Sequence, residues 1–71
     1  MANLAIDTNI EVTGDPTKVN RNFILRPFVG NKGRIYDIAY SSEGKDIVHQ
    51  YGIRLESGFT LFLFPSELKE T

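Results

Sequence analysis

The chain has 71 residues, of which 41% are hydrophobic and 24% charged, and its formal net charge is −1. This length holds one hydrophobic core, so we expect a single domain over residues 1–71 with an N-terminal arm over 1–8. The absence of cysteine excludes disulfides and thiolate metal sites, and the apolar content excludes a disordered composition.

Short apolar runs separated by glycine and proline are typical of strands and turns. Residues 10–13 alternate apolar and polar side chains, which predicts a first strand with Ile10 and Val12 facing inward. Residues 17–29 are long for a hairpin loop and rich in apolar side chains, so we expect them to fold back over the core. Within this loop, Arg26 precedes a proline and is expected to be extended.

The middle of the chain predicts a turn and two strands. Residues 30–33 contain two glycines and predict a tight turn. Residues 34–40 predict a strand whose broken alternation indicates a bulge or two covered faces. A polar loop over 41–45 leads to a strand over 47–55, in which Gly52 indicates a bulge or a close backbone approach. Three apolar residues share one face of that strand: Tyr51, Ile53 and Leu55.

After a hairpin turn, the strand over 59–64 is apolar on both faces. Strict alternation puts Phe62 and Phe64 on one face and Leu61 and Leu63 on the other. We expect the phenylalanines to face the core and the leucines to face outward.

Pro65 ends that strand, and residues 66–68 predict one 3₁₀ turn with Leu68 inward before a short last strand. The predicted core combines apolar residues from every strand and from the long loop. Its members are Ile10, Val12, Leu25, Phe28, Ile35, Ile38, Ile53, Leu55, Phe62, Phe64 and Leu68.

Two segments carry a resemblance to known small barrels. Gly30-Asn31-Lys32-Gly33-Arg34-Ile35-Tyr36-Asp37-Ile38 resembles the turn and strand of KOW-type domains. Tyr51-Gly52-Ile53-Arg54-Leu55, followed by Phe64-Pro65-Ser66-Glu67-Leu68, is similar to the closing half of SH3-like barrels. In layout the chain also resembles the photosystem I subunit IV barrel and the variable chain of ferredoxin–thioredoxin reductase. Ile24-Leu25-Arg26-Pro27 and Ser66-Glu67-Leu68 are similar to subunit IV, whose long loop before the last strand is missing here.

The resemblance implies an all-β fold, namely a five-stranded SH3-like barrel with a folded-back first loop and one 3₁₀ turn before the last strand. It implies no photosynthetic role, because SH3-like barrels host many unrelated activities.

Catalytic constellations are absent from the sequence. His49 is the only histidine, and the closest acidic pair in a loop, Glu43 with Asp46, is typical of a solvated turn. We therefore expect a non-enzymatic protein without cofactor or metal. No apolar run approaches the roughly 20 residues that span a bilayer, and the N-terminus lacks a signal-peptide pattern. The expectation is a cytoplasmic protein without a membrane partner.

Outward leucines would create an apolar patch. With Tyr36 or Tyr40 beside them, Leu61 and Leu63 are candidates for a protein-binding or self-association surface. Alternatively, residues 4–6 pack over the leucines and complete the core. The first reading predicts a small protein-binding module that serves as accessory subunit, adaptor or inhibitor of a larger protein or complex.

A cluster of positive charge supports a second reading. Between Asp15 and Arg34 the sequence holds five cations against one carboxylate, a local balance of +4: Lys18, Arg21, Arg26, Lys32 and Arg34. These cations are candidates for binding nucleic acid or an acidic protein, or for solvation alone. Phe23 or Phe28 would supply a stacking face for bases unless both belong to the core.

Overall fold

The computed structural model describes residues 4–44 and 46–71. Strands dominate these residues, and their bounds are β1 Asn9–Val12, β2 Lys32–Tyr40, β3 Val48–Leu55, β4 Thr60–Leu63 and β5 Leu68–Glu70. One helix, α1 Val19–Leu25, and two 3₁₀ turns, Arg26–Phe28 and Pro65–Glu67, complete the elements. Residues 1–3 of the predicted arm and Lys45 of the predicted polar loop lie outside the described residues.

The five strands form one antiparallel sheet in the order β4-β3-β2-β1-β5. The all-β prediction is confirmed, and so is the 3₁₀ turn before the last strand. Strands β4 and β5 are the two edges of the sheet, which is open within the described part of the chain.

The predicted bulge lies in β2, where the register with β3 shifts between Ile35 and Asp37. A second shift falls between Ala39 and Tyr40. Gly52 stands opposite Asp37, and a Cβ there would lie 3.2 Å from the ring of Phe62. The close approach expected at this glycine is therefore present, and it lets an aromatic ring rest against the β3 backbone.

Among the described residues, nine hydrophobic side chains are buried in the core: Ile10, Val12, Leu25, Ile35, Tyr51, Ile53, Leu55, Leu63 and Leu68. All of these except Tyr51 and Leu63 were predicted core members, and two further predicted members, Phe28 and Ile38, are partly buried against the cluster. The N-terminal arm contributes as well, because Leu4 packs against the core and its N–H donates to the Tyr51 hydroxyl over 3.1 Å.

The predicted faces of β4 are reversed. Leu63 is fully buried and Leu61 packs against the core, whereas Phe62 is 39% exposed and Phe64 is half-buried. The reason is cross-strand pairing: Leu61 faces Ile53 and Leu63 faces Tyr51, and directly opposite residues share one side of a sheet.

Residues 17–29 fold back as expected but contain a helix that the sequence reading missed. Leu25 is buried on the side of this helix that faces the sheet. Arg26 has helical dihedral angles of φ −48° and ψ −44°, so the extended conformation predicted for it is wrong. Pro27 occupies an early position of the following 3₁₀ turn, where its missing N–H costs no hydrogen bond. Packing of the segment against the sheet thus outweighs the local preference before proline.

The turn predicted over 30–33 is shorter than expected. Gly30, with φ +89°, belongs to the turn, while Lys32 and Gly33 already lie in β2. Within residues 4–44 and 46–71, no helix combines the length and apolarity that a bilayer crossing requires.

Candidate binding surfaces

The five predicted basic residues are spread over the molecule rather than gathered in one loop. Lys18 and Arg21 lie at the ring of Phe64, with Nζ 4.1 Å and Cζ 4.9 Å from its centroid. Arg26 lies on the far side of α1, its Cζ 5.7 Å from the ring centroid of Phe23. The remaining two, Lys32 and Arg34, are exposed residues of β2.

Arg21 is engaged inside the chain. Its guanidinium donates to both carboxylate oxygens of Glu67, over 3.0 Å from Nε and 2.8 Å from Nη2. Glu67 is fully buried, and its Oε1 also accepts the N–H of Phe64 over 2.8 Å. A further bond from Arg21 Nη2 reaches the Phe62 carbonyl oxygen over 3.2 Å. Arg21 therefore fixes α1 to the edge of β4 and to the 3₁₀ turn that precedes β5.

Electrostatics at this contact favour the charged pair. Burial of the Glu67 carboxyl disfavours its ionised form, but hydrogen bonds from Arg21 and from the Phe64 N–H outweigh it, so the pKa of Glu67 lies below its ordinary value. The hydrogen bond with Glu67 likewise raises the pKa of Arg21.

Asp15 holds the start of the long loop. Hydrogen bonds from the Ser66 hydroxyl and from the Thr17 hydroxyl and N–H lower the pKa of Asp15 to about 2. The carboxylate therefore stays charged at neutral pH. A second contact at this point is made by the Asp15 N–H, which donates to the Asn22 side chain over 2.8 Å.

The outward side of α1 carries exposed apolar side chains. Val19 is 75% exposed and Phe23 74%, and together with Asn22 and Arg26 they follow the i, i+3, i+4, i+7 spacing of one helix face. A shallow groove runs along this face. We call it the α1 surface, and it is lined by Thr13, Val19, Asn22, Phe23, Arg26 and Val29.

A second surface covers the outer face of the sheet. Tyr36 and Phe62 are 38% and 39% exposed, and their rings meet edge to face across Gly52 with centroids 6.3 Å apart. Phe64 follows Phe62 on the same side of the chain, because alternate residues of an extended segment share a face. We call these three rings, Tyr36, Phe62 and Phe64, the aromatic strip.

Cations stand at both ends of the aromatic strip. At the Phe64 end lie Lys18 and Arg21, as described above. At the Tyr36 end, the Arg54 guanidinium lies 5.4 Å from the ring centroid of Tyr36. Arg34 is the direct cross-strand partner of Arg54, which places two positive charges side by side. Neither of these two arginines forms an ion pair with a carboxylate of the described residues.

The structure exposes only part of the predicted protein-binding patch. Tyr36 and Tyr40 are exposed as required. The leucine half of that prediction is wrong, since Leu61 and Leu63 pack inward. Sequence reading also missed the exposure of Phe23, although the spacing of Val19 and Phe23 was the available signal for a helix face.

Across residues 4–44 and 46–71 no group of three or more His, Asp or Glu side chains is arranged to hold a metal ion. In comparisons with known proteins, no family model, curated protein or solved structure matches the chain. Its function is therefore inferred from its own side chains and their contacts.

Proposed function

We propose that this protein is a small non-enzymatic protein-binding module of the SH3-like type that docks to a larger protein through the α1 surface. The exposure of Val19 and Phe23 carries the proposal. A helix of seven residues that buries only Leu25 gains little from its own sequence, yet it presents two large apolar side chains to solvent. Such contiguous apolar exposure is typical of interaction sites.

The SH3-like assignment is supported by topology. Sheet order β4-β3-β2-β1-β5, the long folded segment between β1 and β2, and the one-turn 3₁₀ helix before β5 are all compatible with such a barrel. The five-stranded sheet is open, and its closure into a barrel is part of our proposal.

Charge favours a partner other than a second copy. Of the described residues that line the groove, Arg26 alone is charged, and it lies beside Phe23. A symmetric dimer through this surface would bring two copies of Arg26 together without a carboxylate from either groove. An apolar segment that carries Asp or Glu would instead complement the groove in both shape and charge.

A selection of random peptides displayed on phage supplies a probe for this surface. We expect the selected sequences to combine apolar residues with Asp or Glu. Fluorescence anisotropy with one synthetic selected peptide then measures affinity, and Phe23→Ser is expected to weaken it by about tenfold or more, as at other exposed aromatic anchors.

The matched control is Tyr40→Ser, which removes an aromatic side chain that is also more than half exposed but lies outside the groove. We expect this variant to bind the peptide as the wild type does. Equal affinity of the wild type and Phe23→Ser would contradict the proposal, provided that both proteins show the same thermal unfolding midpoint.

A further inference from the structure

We infer that the aromatic strip and the cations at its two ends form a binding site for single-stranded nucleic acid. This site shares no residue with the α1 surface: Tyr36 and Phe62 lie on the outer face of β2, β3 and β4, and Lys18 and Arg21 do not line the groove. It also differs from the basic loop that the sequence suggested. Phe23 and Phe28 take no part in it.

The rings are presented in a way that suits bases. Phe62 rests against the backbone at Gly52, and Tyr36 meets it edge to face, so both rings are held in place while more than a third of each stays accessible. Every base has an aromatic face, and side-chain rings spaced along a strand therefore bind successive bases with little sequence preference.

The cations are placed where a sugar-phosphate backbone would enter and leave. Arg34 and Arg54 are direct cross-strand partners, and like charges in this relation destabilise a sheet unless an anion lies between them. They line a shallow depression together with Asn9, whose side chain offers a further donor, and Glu56, whose carboxylate adds one negative charge at its rim. A phosphate in this depression would satisfy both guanidiniums.

At the other end, Lys18 lies over the Phe64 ring and interacts electrostatically with the Asp15 carboxylate, while Arg21 is paired with Glu67. Among the described residues, four carboxylates lie near the strip: Asp15 beside Lys18, Glu56 in the depression with Arg34 and Arg54, and Glu67 and Asp37. Glu67 is neutralised by Arg21, and Asp37 stands opposite Gly52, where its Oδ1 accepts the N–H of Ile38. Apart from the Arg21–Glu67 pair, the strip thus carries three cations, Lys18, Arg34 and Arg54, and three carboxylates. The adjacent guanidiniums of Arg34 and Arg54, rather than a net positive charge, are therefore what would hold a phosphate.

Exposed bases are the feature that distinguishes the expected ligand from other polyanions. In a duplex the bases are stacked on each other, and an acidic peptide has no bases to stack. The site therefore predicts a preference for single strands over duplexes and over acidic peptides.

The experiment is a fluorescence anisotropy titration with labelled oligothymidylate of about 12 nucleotides, a length within the range that one small barrel covers. Three probes of matched charge accompany it: an abasic oligomer of equal length, a DNA duplex and a polyglutamate peptide. We expect oligothymidylate to bind at least about fivefold more tightly than each of the three, because each stacked base adds that much or more.

Two variants locate the contact. Tyr36→Ser is expected to lower oligothymidylate affinity at least about fivefold and to leave the weak affinity for the abasic oligomer unchanged. Arg54→Gln is expected to reduce the slope of log affinity against log salt by about 0.7, the value for one phosphate contact on a single strand. Phe23→Ser is the control and should bind as the wild type does.

Tyr36 is exposed, so its loss should leave the fold intact, and circular dichroism checks this. Equal binding of oligothymidylate and the abasic oligomer would overturn the inference, because phosphates alone would then account for the affinity. Equal binding of polyglutamate would overturn it in favour of an acidic protein ligand. Absence of micromolar binding at low salt would overturn it as well. None of these outcomes affects docking at the α1 surface, which Phe23→Ser tests.

Discussion

Replacing Arg21 by methionine tests how α1 is attached to the sheet. The substitution keeps a long aliphatic side chain but removes both hydrogen bonds that the guanidinium donates to Glu67. Only the Phe64 N–H then remains on a carboxylate that has no exposed surface. Loss of one partner from a buried ion pair costs about 3–5 kcal/mol. Because the Arg21 side chain is 31% exposed, we expect the lower end, about 3 kcal/mol.

Urea unfolding followed by far-ultraviolet circular dichroism measures this cost. With an m-value of about 1 kcal/mol/M for a chain this short, the midpoint near neutral pH should fall by about 3 M. Glu67→Gln is the matched variant. In this variant Arg21 loses its anionic partner but remains partly exposed to solvent. We therefore expect the free energy of unfolding to fall by only about 1 kcal/mol. Adding Glu67→Gln to Arg21→Met should restore most of the stability, because no buried charge remains.

The pH dependence follows from the direction of the Glu67 pKa. In the wild type this pKa is lowered on folding, so the stabilisation is complete above the ordinary value of 4.5 and is lost as pH falls through the folded-state pKa. In Arg21→Met, burial without the cation raises the pKa, and protonation relieves the penalty at low pH. The two proteins should thus converge in stability at acidic pH. A difference below about 1 kcal/mol at neutral pH, or one that persists unchanged in acid, would refute this reasoning.

Three further predictions concern packing and charge. Ile53→Ala removes a fully buried side chain at the centre of the core and should lower the free energy of unfolding by about 2–5 kcal/mol, and a loss below about 0.5 kcal/mol in urea unfolding would contradict the core assignment. Gly33→Ala should cost about 1–3 kcal/mol by the same assay, since a Cβ there would overlap the β3 backbone, with a Cα only 2.9 Å away. The control for Gly33→Ala is Gly44→Ala, which should be tolerated because the added Cβ would meet only the end of a side chain at 3.5 Å. Equal losses of stability in the two variants would be inconsistent with the close contact at Gly33. Asp15 should titrate near pH 2 in a carboxyl-carbon NMR titration because of its bonds, first among them that from Ser66, and a midpoint near the ordinary 3.8 would show that these bonds do not persist in solution.

The strands were predictable from sequence because their signals are local. Residues of β1 and β3 alternate, and Tyr51, Ile53 and Leu55 indeed share the buried face of β3. Glycine and proline marked the turns, and Pro65 marked both the end of β4 and the start of the 3₁₀ turn. Such patterns depend only on which neighbours face the same way.

Which face of β4 points inward was not predictable from the composition of the strand, because both of its faces are apolar. Register is set by the preceding turn instead. Gly58 adopts φ +93°, and the Leu55 N–H donates to the Phe59 carbonyl over 2.8 Å, which makes residues 56–58 a three-residue loop. Because Leu55 lies opposite Phe59, Ile53 lies opposite Leu61 two residues further along each strand. The leucines of β4 therefore face inward together with Ile53. The length of this loop, combined with the inward face of β3, would have predicted the correct inward face of β4.

The helix escaped the sequence reading for a different reason. Its seven residues include β-branched and asparagine residues of low helix propensity, and no side-chain cap marks its start at Lys18. Tertiary contacts stabilise the helix instead: Leu25 is buried, and Arg21 binds Glu67, which is 46 residues away in sequence. A contact at that separation leaves no local pattern. The exposure of Phe23, and with it the α1 surface, follows from this attachment.

The measurement that tests the central proposal most directly is a titration of isotope-labelled protein with the phage-selected peptide, followed through backbone amide NMR shifts. Docking at the α1 surface predicts that the largest shift changes fall on Val19, Phe23 and Val29, with little change at Tyr40. Largest changes elsewhere, with the amides of α1 unmoved at saturation, would contradict it.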